Sequence, residues 1–316
     1  MDPRFIQQLE CVPDTEGGEA AFVVLEQKVE KGAKRRFGCI GESEKNRLAH
    51  EFELIHATNT TKLFLYWADI VAAIRQKIYP YIYSVQNCSL VSYCLGITEV
   101  NPLLTGSYFE RLLTRRSTHV PILFIEVPKG RGEEASEVLK EKTLIEIEEN
   151  AACPDIDPKD VMNFFKRRTY ENREILQSAA SSLGLAGQKP LETVRALADL
   201  LVYKRYKEFM DENPSLLYQE DAVDLLVKAG LSYEEAECAR RAFAMKNRGE
   251  TTSCRKMFER AARKNGYSIG EANAMFSAIE KEINFTVCRA SYVAMAQYLY
   301  MDMFFQEKRK DKQLCL

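Results

Sequence analysis

Apolar residues recur three and four positions apart, between turn signals, along most of this 316-residue chain. That period fits a helix buried on one face and no strand, so it constrains the fold more than any single motif. Phe22, Leu25, Val29 and Ala33 form one stripe, Leu48, Phe52 and Ile55 a second, and Leu63, Trp67, Ile70, Val71 and Ile74 a third. Farther on, Asp157 is placed to cap a helix with Pro158 at its first position. Val194, Leu197, Leu201, Tyr206 and Phe209 line a long helix that stops before Pro214. Ser232 with Glu235, and Ser268 with Glu271, have the spacing of capping boxes, in which hydroxyl and carboxylate each satisfy an amide of the first turn. Both are followed by alanine, thirty-six residues apart, which reads as recurring cap chemistry, since two copies are too few for a solenoid. The second half reads as wholly helical.

Strands are scarce. His119 to Val127 is one candidate, bounded by Pro128 and Gly130, and Thr143 to Glu148, where apolar and acidic residues alternate, is the next. Gly132 to Lys142 reads as a short helix between them. Two strands do not make a stable sheet, so this strand-helix-strand element must gain strands elsewhere or lean on the helices. The acidic residues it can present are Glu126, Glu146 and Glu148. The expected fold class is α+β, mainly α.

With 46% apolar and 28% charged residues the chain can bury a core, which excludes disorder and a disulfide miniprotein. A net charge of −2 gives no global attraction to a phosphate backbone, so any basic surface has to be local. No apolar run approaches the roughly 18 residues of a membrane span, and Met-Asp-Pro-Arg is not the start of a signal peptide; a cytoplasmic protein is expected. The nine cysteines are scattered with no C-x-x-C, and only His50, His56 and His119 can join them. Buried reduced thiols are therefore expected rather than a zinc cluster.

Four blocks carry a family resemblance. They are Arg47-Leu48-Ala49-His50-Glu51-Phe52-Glu53-Leu54-Ile55, Leu63 to Ile70, Ser89 to Leu103 and Phe109-Glu110-Arg111-Leu112-Leu113. In order and spacing they resemble the palm of the bacterial DNA polymerase III alpha subunit, the C-family replicative polymerase. Glu26 to Phe37 resembles the end of that family's thumb. Leu217-Tyr218-Gln219-Glu220, Ala239-Arg240-Arg241-Ala242-Phe243, Lys264-Asn265-Gly266 and Ala290-Ser291-Tyr292 are similar to its fingers. The resemblance covers roughly residues 20 to 127 and 215 to 305. It implies a thumb-like helical segment over 1–46, a reduced palm over 47–150, a helical connector over 151–214, and a fingers-like helical domain with a charged C-terminal tail over 215–316. The tail, with Lys308, Arg309, Lys310 and Lys312, is expected to fray.

The departures bear on function. A templated polymerase holds two magnesium ions on palm carboxylates, which the family carries as proline followed by Asp-x-Asp-x-Asp. The matching run here is Pro121-Ile122-Leu123-Phe124-Ile125-Glu126, leaving one glutamate, with Glu146 or Glu148 as the candidate for a third carboxylate on a later strand. Pro154-Asp155-Ile156-Asp157 comes too late after Phe109-Glu110-Arg111 to replace it. The family's Gly-Pro-Gly-Arg-Gly-Ser-Ala-Ala-Gly-Ser loop becomes Pro80 to Ser89, with bulky residues where glycine lets amides approach phosphate. The fingers' Phe-Asn-Lys-Ser-His becomes Asn284-Phe285-Thr286-Val287-Cys288, losing its lysine. Arg240, Arg241 and Lys246 remain where the family's basic residues meet a triphosphate, in a stretch to Lys264 with nine basic and two acidic residues. They are read as phosphate-binding candidates or as a solvated helix face.

The resulting expectation is a polymerase-like protein of DNA replication or repair, catalytically inactive, acting as a DNA- or protein-binding module, with no metal, no cofactor and no membrane. One alternative is an active nucleotidyltransferase using Glu126 with Glu146 or Glu148, which would need magnesium. Another is a structural assembly protein without nucleic-acid contact, with Tyr79, Tyr81 and Tyr83 lining its interface.

Overall fold

A computed structural model describes residues 2–13, 20–139, 144–151, 153, 155–159, 190–209, 214–246 and 248–314. The first half is built from helices α1 (Pro3–Glu10), α2 (Ala21–Phe37), α3 (Glu42–Ala57) and α4 (Thr61–Ile74), then strand β1 (Tyr81–Ile82). Short helices α5 (Leu90–Leu95) and α6 (Pro102–Thr105), strand β2 (Leu123–Pro128), α7 (Gly132–Ser136) and β3 (Ile145–Asn150) complete it. The three stripes read from the sequence meet in one core: Leu25, Val29, Ala33, Leu48, Ile55, Leu63, Trp67, Ile70, Val71 and Ile74 are all buried together with Leu123, Ile125 and Val127. α2 crosses α5 at Gly32, where a Cβ would lie inside van der Waals distance of the Cys94 carbonyl oxygen. Glycine is required there for close backbone approach.

The fold is α+β and mainly α, with a three-stranded sheet in the order β1-β2-β3. β1 runs antiparallel to β2, with Tyr81 opposite Glu126, and β2 runs parallel to β3, with Glu126 opposite Glu148 and Phe124 opposite Glu146. The third strand, two residues long, is the one the sequence did not announce. β2 begins later than expected because Pro121 has no N–H to give a ladder, and Leu123 makes the first bond, to the Leu144 carbonyl at 3.0 Å. β3 is likewise shifted toward Asn150, and α7 ends at Ser136 rather than reaching Lys142. Lys140 to Thr143 lie outside the described residues.

The second half contains α8 (Pro190–Lys207), α9 (Gln219–Lys228), α10 (Tyr233–Ala244), α11 (Arg248–Lys264), α12 (Ile269–Glu282) and α13 (Arg289–Leu314). Both capping boxes form: Ser232 and Ser268 accept from the amides of Glu235 and Glu271, whose carboxylates bond back. α9 to α12 enclose a core of Leu226, Phe243, Phe258 and Phe276. α13 is the bridge to the first half, burying Val293, Ala294 and Tyr298 against Val194, Leu197 and Ala198 of α8 and against Tyr79 and Tyr81.

Several expectations are corrected. Phe209 lies past the end of α8 and is 60% exposed. The backbone of α13 runs helical through Leu314, into the charged tail. Tyr79 and Tyr81 are buried against α13, so the tyrosines expected at an intermolecular interface mainly build an internal one. Cys11 and Cys39 are exposed, whereas Cys88, Cys94, Cys153 and Cys288 are the buried thiols. Asp157 accepts from the Lys159 amide at 2.8 Å as expected of a cap, but most of the connector after it lies outside the described residues.

Candidate functional site

The sheet presents one row of polar and aromatic side chains away from the core. Alternation along β2 buries Leu123, Ile125 and Val127 and leaves Phe124 and Glu126 on the other face, beside Glu146 and Glu148 of β3. The two strands bring Glu126 and Glu148 directly opposite each other, which the sequence alone left open. Burial, reinforced by the Glu148 charge, raises the proton affinity of Glu126. Its Oε2 accepts a hydrogen bond from Asn150 Nδ2 at 3.0 Å, and Tyr83 donates its hydroxyl to Glu148 at 3.4 Å. Burial and these carboxylates push the Tyr83 phenol up to about 12.

This donor set does not fit a two-magnesium centre. Such a centre needs several oxygen ligands converging with free lone pairs. Among the described residues Glu126, Glu146 and Glu148 do not bring their carboxylate oxygens together as a group within 4.8 Å. One oxygen of Glu126 already faces an N–H donor.

The phosphate positions are also engaged. Ser89, the one residue of the glycine-rich loop that persists, caps α5: its Oγ accepts from the Ser92 amide at 3.0 Å and donates to Glu51 at 2.7 Å. Glu51, fully buried, takes the Leu90 and Val91 amides at 2.8 and 2.9 Å and pairs with Arg47 at 2.6 Å. The first three amides of that helix are thus satisfied by side chains of this chain. Here lies the physical reason the first and third blocks occur together: one supplies the carboxylate and the other the helix that needs it.

Arg240 and Arg241 are brought together on α10, Arg240 buried and Arg241 partly exposed. Arg240 is buried and forks onto Glu237, Nε to Oε2 at 2.8 Å and Nη2 to Oε1 at 2.7 Å. Arg241 Nε donates to the same carboxylate at 2.7 Å, Tyr108 donates its hydroxyl at 3.0 Å, and Arg111 stands 3.5 Å away. Against the cost of burial, three guanidinium groups hold the Glu237 carboxyl down to about 2. Arg111 also donates to Gln219 Oε1 at 2.6 Å, so this cluster fastens the Phe109 to Leu113 block to the second half. Lys246 lies apart, exposed at the turn after α10 in a left-handed conformation (φ 53°). The nine basic residues therefore divide. Arg240 is internal and Arg241 half-buried, both paired with Glu237, while Lys256, Arg260, Arg263 and Lys264 are exposed along one face of α11. Among the described residues these four form no ion pair.

Residues 23–143 match the family described as the bacterial DNA polymerase III alpha NTPase domain. Over those residues the chain is similar to that family. An error-prone DNA polymerase of Burkholderia mallei is 33% identical over 144 residues, 45% of this chain and 13% of that protein. One from Anaeromyxobacter sp. (strain K) is 27% identical over 237 residues, 73% of this chain and 18% of that protein. The DNA polymerase III subunit alpha of Mycobacterium tuberculosis is 32% identical over 136 residues, 42% of this chain and 11% of that protein. The chain thus spans less than a fifth of the length of these relatives. A match of 237 residues includes part of both halves, as the palm-like and fingers-like blocks do.

Sequence reasoning missed one constellation. Cys88, Glu220 and Cys288, distant in the chain and without any motif spacing, bring their sulfurs and a carboxylate oxygen within 4.8 Å of one another in the interior. The only signal in the sequence is that two cysteines stand where the resemblance puts a glycine and a histidine.

Proposed function

We propose that this chain is a non-catalytic relative of the polymerase III alpha subunits that keeps a joined palm-like and fingers-like core as a DNA-binding module. The observation that carries the reading is that the groups expected to meet metal and phosphate are engaged with the chain's own side chains: Asn150 on Glu126, Glu51 on the α5 amides, and Glu237 on Arg240 and Arg241. Replacing those partners by ligands would leave buried charges uncompensated. The basic groups left for a phosphate backbone are Lys256, Arg260, Arg263 and Lys264 on α11. A stripe of this kind supports sequence-independent, salt-sensitive binding in a chain whose net charge is close to zero.

The test is primer extension on a primed template with magnesium and then manganese, beside a Glu126→Ala control, together with DNA binding followed at 50 and 200 mM salt. No extension is expected. Binding should weaken steeply with salt. Neutralising the four α11 residues should flatten the slope of log affinity against log salt by up to about 0.9 for each phosphate they had neutralised. Extension that disappears in the Glu126 variant would establish the alternative, a nucleotidyltransferase built on Glu126 and Glu148. Background binding that ignores salt would favour an assembly protein.

A further inference from the structure

Cys88 ends the 3-10 turn that leads into α5, Glu220 sits in the first turn of α9, and Cys288 immediately precedes α13. Three elements distant in sequence thus deliver three ligating side chains to one buried point; Cys88 and Glu220 are wholly inaccessible and Cys288 is 9% exposed. The sulfurs are 3.8 Å apart, and Cys288 Sγ is 3.6 Å from Glu220 Oε1. A tetrahedral zinc ion with Zn–S near 2.3 Å and Zn–O near 2.0 Å sets its ligand atoms about 3.8 Å apart for two sulfurs and about 3.5 Å for sulfur and oxygen. The two observed edges match those of such a tetrahedron.

We propose that Cys88, Cys288 and Glu220 bind a thiophilic divalent cation of the zinc type that ties the palm-like half to the fingers-like half. The second oxygen of Glu220 accepts the Arg289 amide at 2.9 Å, which fixes the carboxylate with Oε1 turned to the sulfurs, as an outer hydrogen bond orients a metal ligand. Binding takes both sulfurs as thiolates and Glu220 as a carboxylate, releasing to solvent whatever protons the three groups carry, and these three anions exceed the ion's charge by one. Arg111, whose guanidinium acts on both cysteines and pairs with Glu237, supplies compensating positive charge beside the site. A disulfide between Cys88 and Cys288 is the competing use of these sulfurs. It removes the thiol that faces Glu220 Oε1 at 3.6 Å, whereas a metal accounts for all three groups. Both cysteines also stand at positions where the resemblance implies other residue types, so the pair belongs to this chain rather than to the family's blocks.

Cobalt titration tests the site. The full chain is reduced, stripped with a chelator and titrated with Co²⁺ without oxygen, then zinc content is measured after zinc loading. A thiolate-to-cobalt absorption band saturating at one ion per chain, displaced by zinc, is expected. Cys88→Ser and Cys288→Ser should abolish the band, and Glu220→Gln should weaken affinity at least about tenfold. Zinc should raise the melting temperature of the unaltered protein and not of the cysteine variants. Absence of the band in the unaltered protein overturns the proposal even if a variant fails to fold. A band that survives in the Cys88→Ser/Cys288→Ser double variant overturns it too, by assigning the metal to other cysteines. So does a Cys88–Cys288 crosslink in protein that takes up no metal once reduced.

Discussion

Replacing Glu237 with glutamine removes the charge on which Arg111, Arg240 and Arg241 converge while keeping nearly the same volume. The folded protein holds this carboxyl down to about 2 against an ordinary value of 4.5. At about 1.4 kcal/mol per unit, that difference corresponds to roughly 3 kcal/mol of stability. The carboxamide also turns an N–H toward buried guanidinium donors, so the expected loss at pH 7 is about 3 to 5 kcal/mol, the range for breaking one side of a buried ion pair. Because the folded value is depressed, the stabilisation is fully present above the unfolded value near 4.5 and is lost as pH falls toward 2. At pH 3 the difference between the unaltered protein and Glu237→Gln should therefore have shrunk by about 2 kcal/mol. Urea unfolding followed by circular dichroism at pH 7 and pH 3 reads both quantities. A difference below about 1 kcal/mol at pH 7, or one that stays constant to pH 3, would refute the assignment of Glu237 as the counterion that joins the two halves.

Glu51→Gln should cost about 3 kcal/mol in the same urea assay, because it strands Arg47 and removes an acceptor from the α5 amides; Ser89→Ala, which removes a cap alone, should cost about 1 kcal/mol. Equal losses in the two variants would contradict the picture of Glu51 as the anion that α5 requires. His50 donates to Glu110 Oε1 at 2.8 Å, and this bond raises its pKa above the usual 6.5. The protonated pair contributes fully below about 6.5 and is lost as pH rises through the folded value. An NMR titration of the imidazole should show the elevated value, and Glu110→Gln should return it toward normal.

Helix periods and cap chemistry were legible residue by residue. The stripes through Leu25, Trp67 and Ile74 are buried as read, and Ser232 and Ser268 cap as read, since a local i, i+3 hydrogen bond needs nothing from the rest of the fold. The paired carboxylates were legible as residues and not as a site. Whether Glu126 faces Glu146 or Glu148 depends on the register of two parallel strands, which no local spacing encodes. The surroundings of the basic cluster were not legible for a similar reason. Arg240 and Arg241 look like exposed charge in the sequence, and only the fold shows that both pair with Glu237, which Tyr108 and Arg111 also reach.

By itself the sequence determined that this chain is mainly helical, that its blocks resemble in order those of a polymerase III alpha palm and fingers, and that other residue types stand where this resemblance places metal and phosphate ligands. Those properties reside in local periods and in short runs of residue identity. Tertiary structure alone decided which charges are neutralised inside the molecule, and that Cys88, Glu220 and Cys288 share one point. Proximity between elements far apart in the chain is fixed by packing and strand register, so the partner of a charge or a thiol is a property of the folded core.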